Sequence, residues 1–263
     1  MKGIVLAGGQ GTRLYPITKV VCKQLLPIYD KPMIYYPIST LKAAGIKDIL
    51  IISTPKSIHL FEELLGCGAQ YGLNFSYLVQ ENPNGIAEAF IIAEDFINQD
   101  PVALILGDNI FWGASLSSQL KKCIAEQASC HIFGYMVKEP KRYGVLEFDE
   151  NHNVKDIIEK PKNPPSRYAV TGLYFYDSNV VNVAKSLKPS KRGELEITDV
   201  NKIYLNEKKL QVHLFNPGLV WLDTGTMDSL YEASNFIKMM QERDGIYIGL
   251  SEMVNSGNKK TQP

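Results

Sequence analysis

Met1-Lys-Gly-Ile-Val-Leu-Ala-Gly-Gly-Gln-Gly-Thr-Arg-Leu14 opens the chain and decides how the fold begins. Residues 3–7 form a short apolar run with β-branched members, which predicts a buried strand. The glycines that follow allow a tight turn and a close approach of backbone N–H groups to an anion, and Arg13 and Lys23 add positive charge. A tight turn alone would also explain the glycines. Their spacing matches neither the dinucleotide fingerprint nor the P-loop.

Apolar strand-like runs alternate with helix-like segments after this turn. In the first half, strands are predicted at 48–53, 75–79 and 102–106, and helices at 32–44, 57–65 and 85–97. In the second half, strands are predicted at 131–137, 145–148, 154–158, 170–176 and 210–215, and helices at 196–205 and 228–242. Apolar strands that alternate with helices favour a mostly parallel sheet with helices on both faces, so the predicted class is α/β.

The composition argues against several functional classes. Twenty-eight basic residues balance 28 acidic ones, which disfavours binding to nucleic acid or to an anionic membrane. The four cysteines lack C-x-x-C spacing, so they suggest neither a zinc site nor a disulfide framework, and the four histidines fall in no motif. The segment before the glycines is too short for a signal peptide and no stretch is apolar enough to span a membrane, so we expect a cytoplasmic protein.

A carboxylate follows the apolar run at 102–106. Ligands of open α/β sheets bind at the carboxyl ends of the strands, where Asp108 is expected to lie. Mg²⁺ prefers carboxylate and phosphate oxygens, so Asp108 is a candidate ligand. Taken alone, Asp108 would fit a helix cap or a turn equally well.

Several motifs together resemble the sugar-1-phosphate nucleotidylyltransferase family, with its Rossmann-like, mixed but mostly parallel sheet and no appended left-handed β-helix. The matching stretches are 8–14 with Pro16, 23–37, 106–109, 143–145, 159–161, 169–176, 193–198 and 221–225. The likeness covers about residues 1–245. It implies one domain over 1–245, with a nucleotide-binding half (about 1–130), a sugar-binding half (about 131–226) and a closing helix (227–245), followed by a shortened tail at 246–263.

Within that family, the motifs are most similar to the short bacterial enzymes that act on dTTP and glucose 1-phosphate. The implied reaction is attack by a phosphate oxygen of the sugar phosphate on the α-phosphorus of dTTP, with Mg²⁺ as cofactor and pyrophosphate as the second product. The implied product, dTDP-glucose, leads to dTDP-rhamnose and other deoxysugars of cell-surface polysaccharide. The alternatives are the same chemistry with UTP, CTP or another sugar 1-phosphate, or a sugar-nucleotide sensor without catalysis.

The resemblance also implies roles for individual residues. It implies catalytic roles for Arg13, Lys23, Asp108, Lys160 and Asp223, and a metal site at Asp108 and Asp223. It implies nucleotide binding by Leu6, Gly8, Gly9, Gly11, Thr12, Arg13, Lys23, Gln24, Gln80, Pro83, Gly85 and Asp108, with Gln80 reading the base. It implies sugar-phosphate binding by Asn109, Gly144, Glu159, Lys160, Val170 and Thr171. On the residues alone, Gln80 would pass for a polar strand end, and Glu159-Lys160-Pro161 for a solvated turn.

Some positions depart from the family pattern. They are Cys22, Asn84, Glu88 and Met227, at places where the family commonly has Ser, Asp, Gln and His. Pro217 and Gly257 lie at or near places where relatives carry arginines of a second, inhibitory nucleotide site, so with the shortened tail we expect feedback by dTDP-rhamnose or dTTP to be weak or absent. A homo-oligomer, a tetramer or a dimer, is expected from the resemblance. The composition of residues 255–263 predicts disorder.

Overall fold

The computed structural model describes residues 1–9, 11–126 and 128–251. The strands in these ranges are β1 (Lys2–Ala7), β2 (Pro27–Ile28), β3 (Lys31–Pro32), β4 (Asp48–Ser53), β5 (Asn74–Val79), β6 (Val102–Leu106), β7 (Asn109–Trp112), β8 (Cys130–Met136), β9 (Gly144–Phe148), β10 (Val154–Glu159), β11 (Tyr168–Tyr176), β12 (Leu210–Leu214) and β13 (Val220–Asp223). The α-helices are α1 (Tyr35–Ala43), α2 (Ile58–Leu65), α3 (Glu88–Ile92), α4 (Glu94–Ile97), α5 (Leu116–Ala125), α6 (Val180–Ser186), α7 (Ile197–Asn206) and α8 (Met227–Asp244).

One large mixed sheet organises the chain, which confirms the predicted α/β class. Its central path is β10-β9-β11-β6-β1-β4-β5, with β8 paired to β11 and β12 paired to β8. The strands β6, β1, β4 and β5 are parallel, and β11 runs antiparallel to β6. The first half therefore contributes the parallel strands β1, β4, β5 and β6, and the second half extends the sheet through antiparallel pairs and the parallel pair of β8 and β12.

The central parallel strands β1, β4 and β6 are buried on both faces, whereas β5 at the edge is partly exposed. Along β1, Val5 and Ala7 pack into one apolar cluster, whereas Ile4 and Leu6 pack into another on the opposite face. Successive side chains of a strand point to opposite faces, so a continuous apolar run is what a sheet covered by helices on both sides requires. A third cluster lies beneath α8, where Ala233 and Ile237 are buried.

The predicted helix at 85–97 differs from the structure, which has α3 and α4 in its place. The chain at 84–87 pairs with Leu195 instead: Leu195 N donates to Asn84 O (2.6 Å), and Ala87 N donates to Leu195 O (3.2 Å). Gly85 has φ 111°, outside the helical region. The helix therefore begins only at Glu88.

Two sequence expectations concern the end of the chain. Pro217 is exposed in the connection between β12 and β13. Gly257 and the tail at 255–263 lie outside the described residues. Among the described residues, no helix is both long and apolar enough to cross a membrane.

Candidate active site

The carboxyl ends of two adjacent parallel strands place the glycine turn beside Asp108. Leu6 of β1 lies opposite Leu106 of β6, and Gly107 N donates to the carbonyl of Leu6 (2.9 Å). Lys23 reaches this edge from its short 3₁₀ turn and forms an ion pair with Asp108. The Lys23 side chain is buried, so its charge is held at the strand ends and away from solvent.

The second carboxylate arrives through the two-stranded sheet of β7 and β13. Asp223 lies opposite Asn109 in this antiparallel pair. Since Asn109 follows Asp108 in the sequence, the pairing sets Asp223 next to Asp108. Thr224 Oγ1 also donates to the carbonyl of Asp108 (2.8 Å). The structure therefore brings together two aspartates that are 115 positions apart in the sequence.

Asn109 holds this arrangement in place through its buried amide. Its Nδ2 donates to Asp108 Oδ1 (2.9 Å), and its Oδ1 accepts from Trp221 Nε1 (2.6 Å) and from Gly172 N (3.1 Å). The polar atoms of Asn109 are thus engaged within the protein. Asn109 lines the sugar-side cavity described below, but these contacts favour a positioning role over direct sugar binding.

The two carboxylates affect each other electrostatically. Burial opposes ionisation of Asp108, but its ion pair with Lys23 and the Asn109 amide hold its pKa below the ordinary value. Burial and the negative charge of Asp108 raise the pKa of Asp223. Two partly buried carboxylates that repel each other form a hard oxygen donor set, which fits a divalent cation such as Mg²⁺.

A cavity of about 220 Å³ opens on one side of Asp108 and Asp223. We call it the sugar-side cavity. Glu159 and Lys160 enter it from the end of β10. Glu159 Oε2 accepts from Thr198 Oγ1 (2.6 Å), and Glu159 Oε1 lies 3.3 Å from Lys160 Nζ. Lys160 has φ 42°, a strained left-handed conformation that marks functional turns, and its N–H donates to the carbonyl of Tyr143 (3.0 Å).

Two arginines border the same cavity beside Asp223. Arg142 Nη2 lies 3.3 Å from Asp223 Oδ2, which also accepts from Tyr143 Oη (3.1 Å). Gly225 leaves room for this convergence, because a Cβ there would lie 3.1 Å from Arg142 Nη2 and 3.3 Å from Arg13 Nη1. Both guanidinium groups are therefore placed to neutralise phosphate charge.

A second cavity of about 210 Å³ opens on the other side of Asp108, next to the glycine turn. We call it the base-side cavity. Gln80 lies in it, buried, with its Nε2 donating to Glu88 Oε2 (2.7 Å) and to the carbonyl of Gly85 (3.2 Å). Its Oε1 faces Gly8, and a Cβ on residue 8 would lie only 2.6 Å from this oxygen. Because two oxygens surround Nε2, the amide orientation is fixed, and Gln80 presents its carbonyl oxygen to the cavity.

Most predicted site residues line one of the two cavities. The base-side cavity is lined by Leu6, Gly8, Gly9, Gln24, Gln80, Pro83, Gly85 and Asp108. The sugar-side cavity is lined by Arg13, Asp108, Asn109, Gly144, Glu159, Lys160, Val170 and Asp223. Lys23 lies beneath their junction through its ion pair with Asp108. Only Asp108 belongs to both of these groups of predicted residues.

Besides Lys23, three predicted residues line neither cavity. Thr171 is fully buried, and strand alternation places it on the face of β11 that carries Ala169 and Leu173, while Val170 faces the sugar-side cavity. The geometry therefore does not support sugar-phosphate binding by Thr171. Gly11 and Thr12 lie at the start of the 3₁₀ turn Thr12–Leu14, where Thr12 is exposed and Gly11 O accepts from Thr18 Oγ1 (2.7 Å).

The structure adds cavity residues to which the sequence assigned no role. They are Arg142, Tyr143, Gly172, Tyr174, Ile197, Thr198, Asn201 and Trp221 on the sugar side, Glu194 on the base side, and Ile86 and Leu106 on both. Tyr143, Thr198 and Trp221 fall within stretches that matched the family, and this match was the signal in the sequence that could have identified them as site residues. Nothing in its sequence context singled out Arg142.

Comparisons with known proteins agree with this geometry. A family model described as nucleotidyl transferase matches residues 2–239. The glucose-1-phosphate thymidylyltransferase of Neisseria gonorrhoeae is 54% identical over 254 residues, covering 97% of this chain and 88% of the relative. Its counterpart in Xanthomonas campestris pv. campestris is 55% identical over 256 residues, covering 97% and 87%.

Solved structures show the same likeness. A glucose-1-phosphate thymidylyltransferase of Bacillus anthracis, crystallised with sucrose, aligns with a TM-score of 0.83 at 43% identity, covering 90% of this chain and 94% of that one. A UDP-glucose pyrophosphorylase complexed with UDP-glucose aligns with a TM-score of 0.78 at 28% identity, covering 89% and 97%. Family model, relatives and architecture agree: the chain belongs to the nucleotidyl transferase family.

Proposed function

We propose that this protein transfers the thymidylyl group of dTTP to glucose 1-phosphate, giving dTDP-glucose and pyrophosphate. The observation that carries the proposal is the position of Asp108 between two cavities, one suited to a base and one to a sugar phosphate, with Asp223 beside it in the sugar-side cavity. The names of relatives more than 50% identical over nearly the whole chain point to the same substrates.

The base-side cavity favours a pyrimidine with a hydrogen on N3. The carbonyl oxygen of Gln80 can accept a hydrogen bond, and the N3–H of thymine or uracil donates one. Cytosine presents an unprotonated N3, an acceptor that would face this carbonyl oxygen. The contact therefore favours dTTP and UTP over CTP, whereas the methyl group that separates thymine from uracil supplies only modest discrimination.

The sugar-side cavity supplies one acidic and several basic groups. Glu159 can accept hydrogen bonds from sugar hydroxyls, and Lys160 beside it can bind the sugar phosphate. Arg13 and Lys23 are positioned to neutralise the triphosphate and the departing pyrophosphate. The attacking group is already an anionic phosphate oxygen, so positioning and charge neutralisation suffice and no general base is needed.

Asp108 and Asp223 would hold the divalent cation that members of this family typically use, and we propose Mg²⁺. When bound, such a cation supplies positive charge to the phosphate oxygens that become more negative during transfer. Lys23, Arg142 and Tyr143 hold the two carboxylates in position for it.

We also propose a domain organisation, a cellular location, an assembly and a pathway, all of which the family resemblance supports. Residues 1–245 are taken as one catalytic domain with a nucleotide half (about 1–130), a sugar half (about 131–226) and a closing helix (227–245). The protein is proposed to be cytoplasmic and to act as a homo-oligomer, a dimer or a tetramer. The product is proposed to feed dTDP-rhamnose and related deoxysugars.

Pyrophosphate release tests the function directly. Purified full-length protein is incubated with Mg²⁺ and glucose 1-phosphate, and dTTP, UTP, CTP, ATP and GTP are compared. The highest kcat/KM with dTTP, and a product of the mass of dTDP-glucose, is the expected result. Preference for UTP would reassign the nucleotide, and no release with any nucleotide would favour a non-catalytic sensor of sugar nucleotides.

A further inference from the structure

Two histidines and a cysteine converge outside the candidate active site. His131 lies on β8 and His213 on β12, which pair in parallel, and Cys123 lies in the last turn of α5. His213 Nε2 is 2.9 Å from His131 Nδ1 and 3.6 Å from Cys123 Sγ. The three donor atoms all lie within 4.8 Å of one another.

This cluster lies at the opposite end of the sheet from Asp108. His131 and Cys123 line a cavity of about 200 Å³ together with Met1 and Pro101, the residues that precede β1 and β6. Asp108 follows the other end of β6, roughly 17 Å away along a five-residue strand. The cluster is thus separate from the site proposed for nucleotidyl transfer.

The distances suit a tetrahedral metal centre. With metal–nitrogen bonds of about 2.0–2.1 Å and metal–sulfur bonds of about 2.3 Å, tetrahedral coordination places two nitrogens ~3.3 Å apart and a nitrogen ~3.6 Å from the sulfur. The Cys123 Sγ–His213 Nε2 distance of 3.6 Å already meets this requirement. The nitrogen pair at 2.9 Å, which shares one hydrogen, has to open by about 0.4 Å.

The surroundings keep both imidazoles neutral, the form that binds metal. Burial and the neighbouring ring lower the pKa of His131 to about 4, and burial also lowers the pKa of His213. Phe133 stacks on His213 and on Phe215, which fixes the His213 ring in an aromatic row. Glu126, the residue that follows α5, also lines the cavity, so its carboxylate or a water can supply a fourth ligand.

We propose that Cys123, His131 and His213 form a second cation site, specific for a zinc-class divalent ion and independent of the Mg²⁺ site. Thiolate and imidazole donors favour such borderline-soft cations, whereas Mg²⁺ requires oxygen donors. Bound there, the cation fastens α5 to β8 and to β12, which pairs with β8 at the margin of the large sheet. Binding releases the thiol proton of Cys123, so the Sγ–metal bond replaces an Sγ–H bond.

Metal titration of the full-length protein tests this site. Chelator-treated protein is titrated with Zn²⁺ against a competing chromophore, and with Co²⁺ while the absorption spectrum is recorded. The expected results are one ion bound per chain, thiolate-to-Co²⁺ charge-transfer absorption, and a rise in Tm with Zn²⁺ that Mg²⁺ does not reproduce. Absence of the charge-transfer absorption in the wild-type protein would overturn the proposal.

Matched variants separate the three ligands from other metal-binding groups. Cys123→Ser and His213→Phe should weaken Zn²⁺ binding by at least about 100-fold, while Cys67→Ser and His59→Gln, at exposed positions, should not. His213→Phe keeps the aromatic row with Phe133 and Phe215, so its Tm without metal shows whether the chain remains folded. Nucleotidyl transfer with Mg²⁺ should stay within about twofold of wild type in folded variants. Equal Zn²⁺ affinity of wild type and His213→Phe would refute the site.

Discussion

The two cavities beside Asp108 are built in different ways. The base-side cavity draws its lining from the first 108 residues, with Glu194 as the exception in the described chain. The sugar-side cavity draws its lining from Arg13 to Asp223, through β7, β9, β11 and β13. The first depends on parallel strands that are close in sequence, and the second on antiparallel pairs between distant segments.

Their chemistry differs as well. The base-side cavity presents a neutral amide, Gln80, oriented by Glu88. The sugar-side cavity presents charged groups, with Glu159 and Lys160 on one strand end and Arg13 and Arg142 near Asp223. We therefore expect substitutions on one side to change the use of one substrate, and substitutions at the junction to affect both.

The strongest test of this comparison is removal of a carboxylate at the junction. Asp108→Asn or Asp223→Asn should lower kcat by about a thousandfold or more at saturating dTTP, glucose 1-phosphate and Mg²⁺, because the cation loses a charged ligand. Steady-state pyrophosphate release measures the effect, and circular dichroism checks that the fold is intact.

Asp244→Asn, at the exposed end of α8, is the matched control and should keep wild-type kcat. If both junction variants remain within tenfold of wild type while folded, the assignment of Asp108 and Asp223 to the cation is wrong. If only one of them is impaired, the cation depends on a single aspartate.

Sequence patterns predicted the base side better than the sugar side for a physical reason. A strand followed by a turn is a local arrangement, so the apolar runs at 3–7 and 102–106 already placed Gly8 and Asp108 at strand ends. The confirmed α/β sheet then sets these ends side by side. The spacing of the glycines and the position of Gln80 at the end of a predicted strand could be read from the sequence in the same way. The role of Glu88 in orienting the Gln80 amide could not.

The sugar side depends on pairings that no local pattern encodes. The sequence prediction omitted β7 and β13, the four-residue strands that bring Asp223 beside Asp108, and the meeting of the aspartates came from family resemblance alone. Thr171 does not line the sugar-side cavity, because a match to a family motif does not tell which face of β11 a residue occupies. Cys123, His131 and His213 show no metal-binding spacing, because β12 brings His213 to His131 only in the folded chain.

Removal of the sugar-side lysine should separate the two substrates. Lys160→Ala should raise the KM for glucose 1-phosphate by about 10- to 100-fold, the effect expected for a charge-assisted contact to phosphate, and change the KM for dTTP by less than about threefold. Initial rates measured with each substrate varied in turn give both constants. Lys162→Ala, two residues further on and exposed, serves as the control. A rise confined to the KM for dTTP would move Lys160 to the nucleotide side and break the comparison.

The smallest expected effect concerns the orientation of the base reader. Glu88 offers only acceptors to Gln80 Nε2, so the Gln80 carbonyl has to face the cavity. In Glu88→Gln the new amide can donate as well as accept, so only the longer bond to the Gly85 carbonyl still orients Gln80, and its NH₂ group can turn toward the base part of the time. The preference for dTTP over CTP, measured as the ratio of kcat/KM values, should then fall by about 5- to 10-fold, while the KM for glucose 1-phosphate stays unchanged. Glu81→Gln, exposed next to Gln80, should leave the ratio intact. An unchanged ratio in Glu88→Gln would mean that contacts other than the Gln80 carbonyl reject cytosine, and base selection would then depend on the shape of the cavity instead of on one hydrogen bond.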